Sequence, residues 1–146
     1  MNKLQRLTEI CHESSIALMY LFGSMKDAGL VVLQGHSVAQ SDPLADIDVG
    51  VVFAGSLPHG LPRTRLYSRI YNRLEDLFLP YKLDLVLLQE THSVFQAEAV
   101  MGHCLYYIDD AFKDNYEEDT LRRACDFRPY LEQYHKEVLE AFRSND

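Results

Sequence analysis

The sequence lacks the features of a secreted, membrane-spanning or disulfide-bonded protein. Its few cysteines are odd in number and scattered, at Cys11, Cys104 and Cys125, which argues against a disulfide framework and for a reducing compartment. No uninterrupted apolar segment approaches the roughly 20 residues that cross a bilayer. The first residues, MNKLQRLTEICHESS, are polar and lack the apolar core of a secretory signal. These absences predict a cytoplasmic protein that does not enter a membrane.

Positive charge is also scarce in this chain. Lysine and arginine together number 14 against 22 aspartates and glutamates, which gives a formal net charge of −8. A generic nucleic-acid binder normally presents a basic face, so we expect no direct nucleic-acid binding. Nucleotide binding is not excluded, because a bound divalent cation can dominate the local field. The negative charge also suits a basic protein partner, since opposite net charges speed encounter.

The segments that are present alternate between strand-like and helix-like patterns. The 146 residues, 47% of them hydrophobic, fit one domain that spans residues 1–146. Apolar residues at three- and four-residue spacing predict helices over residues 3–14, 24–33, 63–78, 91–102 and about 119–143. Short apolar runs predict strands over residues 16–22, 46–53, 82–88 and 105–108. This alternation favours an α/β domain with a mixed sheet flanked by helices.

The most informative stretch of the chain runs from Tyr20 to Phe53. A buried strand ends at Gly23 and Ser24, whose backbone N–H groups and hydroxyl are the kind of groups that hold phosphate at a helix N-terminus. Ser24 is also expected to cap the helix that follows. Strand residues point alternately to opposite faces, so Asp46 and Asp48 share one face at the start of the next strand.

A third carboxylate, Asp84, lies inside the strand-like run KLDLVLL. Burying a carboxylate without a partner costs several kcal/mol, because the charged group loses its hydration. Asp46 or Asp48 alone could be a turn or capping residue, but three carboxylates on neighbouring strands favour a shared cation. Oxygen ligands select Mg²⁺, with Mn²⁺ as an alternative.

These motifs in this order resemble a known family. Gly-Ser followed by Asp-x-Asp, in YLFGS and SDPLADIDVGVV, looks like the DNA polymerase β nucleotidyltransferase superfamily and its small MNT-type (minimal nucleotidyltransferase) members. KLDLVLL resembles the later strand that carries the third carboxylate, and LRRACDFRPYLEQYHKEVL looks like the C-terminal helix of the group. The resemblance implies an α/β (α+β) polymerase β-like fold.

The resemblance also implies an activity, cofactors and a partner. MNT proteins are often antitoxins that transfer AMP from ATP to a tyrosine of a HEPN toxin, with which they form hetero-oligomers. By this likeness Asp46, Asp48 and Asp84 would be catalytic and would bind two Mg²⁺ ions. Gly23 and Ser24, with Lys26 beside them, would bind the phosphates of ATP.

One feature departs from the family pattern. Residues 25–45 separate Ser24 from Asp46, a longer segment than short family members have, and its excess around AGLVVLQGHSVAQ looks like an insertion. The arginine that usually follows Gly-Ser has no clear counterpart. Lys26 is the nearest cation, and a lysine cannot reproduce the bidentate fork of an arginine. The departure affects phosphate binding more than metal binding.

Several alternative readings remain open from the sequence. The protein could be an inactive antitoxin that acts by binding and occlusion, or it could transfer a nucleotide to a small molecule. Arg128 and His135 resemble the signature of HEPN ribonucleases, which are helical bundles rather than α/β domains. His36 could contact phosphate or base but fits a solvated loop better. Neighbouring His and Cys residues lack the spaced second pair of a zinc site; these are His103 with Cys104 and Cys11 with His12.

Overall fold

The structure is a computed structural model that describes residues 1–38 and 45–144. Its helices are α1 (Lys3–Glu13), α2 (Lys26–Leu33), α3 (Leu61–Glu75), α4 (Ser93–Val100) and α5 (Asp110–Ser144). Its strands are β1 (Ile16–Phe22), β2 (Asp46–Phe53), β3 (Lys82–Leu87) and β4 (His103–Tyr107), and a single 3₁₀ turn covers Leu88–Glu90. The elements follow the order predicted from the sequence.

The four strands form one mixed sheet in the order β3-β2-β1-β4. Strand β1 is antiparallel to both β2 and β4, whereas β2 and β3 are parallel. The C-terminal end of β1 therefore meets the N-terminal ends of the other three strands at one end of the sheet. The predicted mixed sheet flanked by helices is confirmed.

Helices cover both faces of the sheet, and each face has its own apolar core. Helices α1, α2 and α3 pack on one face, around a cluster that includes Leu7, Met19, Leu33, Val49, Leu74 and Leu85. Helices α4 and α5 cover the other face, around Leu18, Tyr20, Phe22, Val52, Leu88 and Ala99. All seven residues of β1 are buried, since it is an inner strand with a helical layer on each side.

The last helix begins earlier than the sequence prediction of residue 119. Helix α5 starts at Asp110, because the Asp109 carboxylate accepts a hydrogen bond from the backbone N–H of Phe112 at 2.7 Å and caps the first turn. Pro129 lies inside this helix, which continues to Ser144. Within the described residues, no helix combines the length and the apolar character needed to span a bilayer.

The turn after β1 also differs from its prediction. Helix α2 begins at Lys26, and the residue at its N-cap position is Met25, with no side-chain hydrogen bond to the helix. Ser24 is therefore not the capping residue; it stays exposed in the turn between β1 and α2. Residues 39–44 of the predicted loop before β2 lie outside the described part of the chain.

Candidate active site

The predicted acidic residues lie together at the end of the sheet where β1 ends and the other strands begin, which we call the carboxylate end. Asp48 is the direct partner of Asp84 in the parallel pairing of β2 with β3. Asp48 is also the partner of Phe22, the last residue of β1. Residues paired across neighbouring strands point to the same face, so both carboxylates project on the side of the sheet that α4 and α5 cover.

Gly23 lies directly against the carboxylate of Asp48. A Cβ atom built on Gly23 would be 2.2 Å from Oδ2 of Asp48, much closer than any contact between such atoms. Gly23 also has a φ of +80°, a left-handed conformation that residues with a Cβ rarely adopt. The glycine therefore provides both the turn and the space that Asp48 occupies.

The electrostatics of Asp48 show how tightly the acids are grouped. The pKa of Asp48 is raised to about 6, and burial is the largest cause. The charge and hydrogen bonding of Asp84 and the charge of Asp46 contribute the rest of the shift. The carboxyl groups of Asp48 and Asp84 thus lie within hydrogen-bonding reach. Without a counter-charge, Asp48 holds its proton more strongly than an isolated aspartate. A divalent cation would relieve the same repulsion.

Asp46 is set apart from the other two carboxylates. It is paired with Lys82 rather than with Asp84, and it lies two residues from Asp48, about 6.6 Å along an extended strand. In the described part of the chain, no three His, Cys, Asp or Glu side chains are grouped closely enough to form a ready metal site. The oxygen atoms of the Asp48–Asp84 pair are the kind of ligand that a hard cation takes, and Asp46 is the next carboxylate along the same strand.

The predicted phosphate-binding residues lie in the turn beside these acids. Gly23 and Ser24 are exposed, and Lys26 is half-buried at the first residue of α2. The backbone N–H of Lys26 donates to the carbonyl of Gly23 at 3.3 Å, which closes the turn. The free N–H groups at the start of α2 give this turn a partial positive charge.

The long segment between Ser24 and Asp46 does not separate the turn from the acids. Part of it forms α2, which packs its Val32 and Leu33 side chains into the core. The pairing of Phe22 with Asp48 brings the ends of the segment together. The insertion noted in the sequence therefore leaves Gly23 in contact with Asp48.

Sequence reasoning missed two features of the carboxylate end. Lys82 lies opposite Asp46 in the β2–β3 pairing, so a lysine stands beside the first carboxylate of Asp-x-Asp. His103, at the start of β4, forms an ion pair with Asp27 of α2, with 2.8 Å between Nε2 and Oδ1. The pairing register of the strands would have revealed Lys82, but no local sequence signal marks the contact between His103 and Asp27.

The remaining histidines and cysteines lie in ordinary positions. Cys11 is buried, Cys104 is half-buried with its Sγ 3.5 Å from the carbonyl oxygen of Tyr106, and Cys125 is exposed. His36 is exposed after α2, where it lines a cavity of 270 Å³ with Lys3. Arg128 and His135 belong to α5, and the central sheet is incompatible with a helical HEPN bundle.

A mixed sheet with a Gly-Ser turn at the end of β1, and carboxylates on the adjacent strand β2 and on the next strand β3, defines a nucleotidyltransferase-type domain. The family model "Polymerase beta, Nucleotidyltransferase" matches residues 5–111 of the chain. The protein belongs to the polymerase β nucleotidyltransferase family. The resemblance inferred from the sequence is thereby confirmed at the level of the family.

Solved structures of similar fold come from toxin–antitoxin complexes. A chain of a toxin–antitoxin complex with AMP-PNP has a TM-score of 0.60 and 17% identity, over 98% of this chain and 99% of that one. A chain of the complex of a tri-AMPylated Shewanella oneidensis HEPN toxin with an MNT antitoxin has a TM-score of 0.56 and 16% identity, over 97% and 96%.

A third chain, from an MntA–HepT toxin–antitoxin complex, has a TM-score of 0.56 and 15% identity over 97% of each chain. At these identities the likeness establishes a shared fold. No curated protein matches the sequence.

Proposed function

We propose that this protein is a Mg²⁺-dependent nucleotidyltransferase that transfers AMP from ATP to a tyrosine of a partner HEPN toxin and so acts as an antitoxin. The observation that carries the proposal is the meeting of Asp48, Asp84 and Gly23 at one end of the sheet. Membership of the polymerase β nucleotidyltransferase family supports the reaction type.

The choice of nucleotide and acceptor is supported by the proteins of similar fold. One comes from a complex that contains AMP-PNP, and another from a complex whose HEPN toxin carries AMP groups. The match extends over nearly the full length of these chains, which includes the counterpart of α5. On this basis we propose a HEPN toxin as the partner and a hetero-oligomer as the working form.

The proposed roles follow from where each residue lies. Asp46 and Asp48 would hold two Mg²⁺ ions on one face of β2, with Mn²⁺ as a possible substitute. Asp84 is the most exposed of the three acids and lies on the edge strand β3, so it would face the acceptor and take its hydroxyl proton. When bound, the divalent ions neutralise the triphosphate and favour the deprotonated acceptor oxygen.

The Gly23–Ser24 turn would hold the leaving pyrophosphate. Its backbone N–H groups and the Ser24 hydroxyl are exposed beside Asp48 and can donate to phosphate oxygens. Lys26 would add a positive charge from the first turn of α2. These groups act by positioning and by neutralising charge, which supplies most of the catalysis in phosphoryl-type transfers.

We further propose that residues 1–146 work as one domain in the cytoplasm. Helix α5 packs along α4, so it belongs to the same unit as the sheet. The cysteines Cys11, Cys104 and Cys125 are all free, as expected in a reducing compartment where ATP is plentiful.

Transfer of label to the toxin tests the proposal. The protein is incubated with ATP labelled at the α-phosphate, Mg²⁺ and the proposed HEPN toxin partner. We expect label on the wild-type toxin, and none on a toxin whose acceptor tyrosine is phenylalanine. Complex formation without any label would overturn the proposed transfer and favour inhibition by occlusion. Label on an added small molecule such as an aminoglycoside, with none on the toxin, would overturn the proposed acceptor.

A further inference from the structure

A negative charge stands next to the turn that is proposed to hold the triphosphate. Asp27 is the acidic residue in the first turn of α2, and its side chain is 83% exposed. The favourable interaction of a carboxylate with the positive end of a helix explains its presence in an ordinary helix. Beside a triphosphate the same carboxylate is unfavourable. It repels the ligand, and it competes with the phosphates for the partial positive charge at the N-terminus of α2.

His103 is placed to remove this conflict. Its Nε2 lies 2.8 Å from Oδ1 of Asp27, so a protonated His103 neutralises the carboxylate. The position of His103 is fixed by the sheet, since it pairs with Leu21 near the end of β1. The preceding Gly102 packs against the same strand so closely that a Cβ atom would lie 2.2 Å from the carbonyl oxygen of Leu21.

We propose that His103 is a positioning residue for nucleotide binding: paired with Asp27, the protonated form of His103 cancels the one acidic charge in the first turn of α2 and lets the Gly23–Ser24 turn accept a triphosphate. This inference rests on the proposed function, because it assigns a role at the same nucleotide site. His103 touches Asp27 rather than the ligand, and it acts through that contact.

The stability of the fold does not explain this pair. Both side chains are partly or largely exposed, and exposed ion pairs contribute little to stability because solvent screens them. A bound triphosphate, in contrast, carries several negative charges near Asp27. The summed effect of one uncompensated charge on such a ligand is about threefold to tenfold in affinity at moderate salt.

A set of substitutions at the two positions tests the inference. His103→Gln keeps hydrogen-bonding groups but removes the charge, His103→Lys keeps a positive charge, and Asp27→Asn removes the charge that needs neutralising. The affinity for AMP-PNP with Mg²⁺ is measured by calorimetry. We expect weaker binding for His103→Gln by about threefold to tenfold, near wild-type binding for His103→Lys, and equal or tighter binding for Asp27→Asn.

The double variant gives the sharpest prediction. In the Asp27→Asn background, His103→Gln should have no further effect, because no carboxylate remains to be neutralised. In transfer assays the single His103→Gln variant should raise KM for ATP and leave kcat unchanged. The loss of AMP-PNP affinity and the rise in KM for ATP should both be smaller in high salt, because salt screens exposed charges.

Arg73→Gln provides a matched control. Arg73 pairs with Glu13 between α3 and α1, and its side chain is 35% exposed, the same as that of His103. This pair lies on the face of the sheet opposite the carboxylates. Loss of the Arg73–Glu13 pair should leave AMP-PNP affinity unchanged. Thermal unfolding of all variants is measured to check that each one is folded.

Two results would overturn the inference, and they differ in what else they overturn. Equal AMP-PNP affinity for wild type and His103→Gln would overturn the role of His103 and leave the proposed transferase intact. If His103→Gln lowered AMP-PNP affinity equally in the wild-type and Asp27→Asn backgrounds, the role of His103 would likewise be overturned and the proposed transferase would remain. A wild-type protein that binds no AMP-PNP would overturn the nucleotide site itself, and the role of His103 with it.

Discussion

The two ends of the sheet handle charge and polar groups in opposite ways. At the end opposite the carboxylates, which we call the far end, polar groups find partners: the backbone N–H of Phe53 donates to Gln89 at 2.7 Å, and Arg63 forms a bidentate pair with Glu90. At the carboxylate end, Asp48 and Asp84 are brought together with like charge. The far end pairs opposite charges, whereas the carboxylate end also brings two like charges together at the place where we propose a ligand.

Cavity volume alone would have pointed to the wrong end. Two open cavities of 630 and 530 Å³ lie at the far end, both lined by Phe53 and the loop residues that follow it. Neither is lined by Asp46, Asp48 or Asp84. Carboxylates that repel each other gain free energy from a cation, whatever the size of the space around them. The chemistry of the residues therefore identifies this site better than its size.

The largest effect is expected from removing an acid at the carboxylate end. Asp48→Asn should lower AMP transfer by on the order of 100-fold or more, because the variant loses a proposed metal ligand at the reacting centre. The measurement is the initial rate of label transfer from ATP to the toxin. Transfer within a fewfold of wild type, in a folded variant, would show that the carboxylate pair is not the catalytic centre.

Substitution of Gly23 separates backbone strain from contact with the acids. Gly23→Ala should reduce transfer strongly, because its Cβ would displace the Asp48 carboxylate from its place 2.2 Å away. Gly35→Ala is the matched control, since Gly35 has a φ of +88° but nothing within 4 Å of the added atom.

Both alanines should cost about 1–2 kcal/mol of folding free energy for the left-handed backbone, measured by denaturant unfolding. Only Gly23→Ala should also impair transfer. Equal activity of the two variants would mean that the space around Asp48 is unimportant.

The raised pKa of Asp48 predicts how pH affects stability. The pKa of Asp48 is about 6 in the folded protein and about 3.9 in an unfolded chain, so this carboxyl favours folding below pH ~4 and loses that contribution as the pH rises through 6. Asp48→Asn should therefore be more thermostable than wild type at pH 8 and lose that advantage at pH 4. Thermal unfolding in the absence of divalent ions provides the comparison.

Mg²⁺ should make wild type more thermostable than Asp48→Asn at pH 8, the opposite of the order expected without metal. At pH 8, Mg²⁺ should raise the unfolding temperature of wild type and have little effect on Asp48→Asn, whereas at pH 4 protons occupy the site and Mg²⁺ should change neither. An Asp48→Asn variant that is less stable than wild type at pH 8 without metal would contradict the account of the carboxylate pair.

The smallest effect is expected at the far end. Arg63→Gln breaks the pair with Glu90, but both side chains are exposed, so we expect a slight fall in unfolding temperature and a transfer rate within twofold of wild type. A large loss of transfer from this variant would mean that the far end takes part in the reaction and that the contrast between the two ends is false.

Local patterns were enough to predict most elements and the acids. The spacing of Asp46 and Asp48 placed both on one face of a strand, and KLDLVLL identified the strand that carries Asp84. These predictions succeed because alternation along a strand is a property of neighbouring residues. Helix α5 begins before the predicted residue 119, because the Asp109 carboxylate caps its first turn.

The contacts that complete the site could not be predicted from local patterns. Lys82 lies opposite Asp46 only through the register of two strands, and the contact between His103 and Asp27 joins β4 to α2, far apart in the sequence. Ser24 has the composition of a helix cap, yet the left-handed turn at Gly23 moves the start of α2 to Lys26. Such contacts depend on tertiary pairing, which a single sequence does not reveal.

The central claim is that Asp46, Asp48 and Asp84 form a divalent-cation site for a bound triphosphate. Calorimetric titration of Mg²⁺ into the protein with AMP-PNP tests it most directly, with the Asp46→Asn/Asp48→Asn double variant alongside. We predict clear Mg²⁺ uptake by wild type and its loss in the double variant. Equal uptake by both proteins, or none by wild type, would contradict the claim.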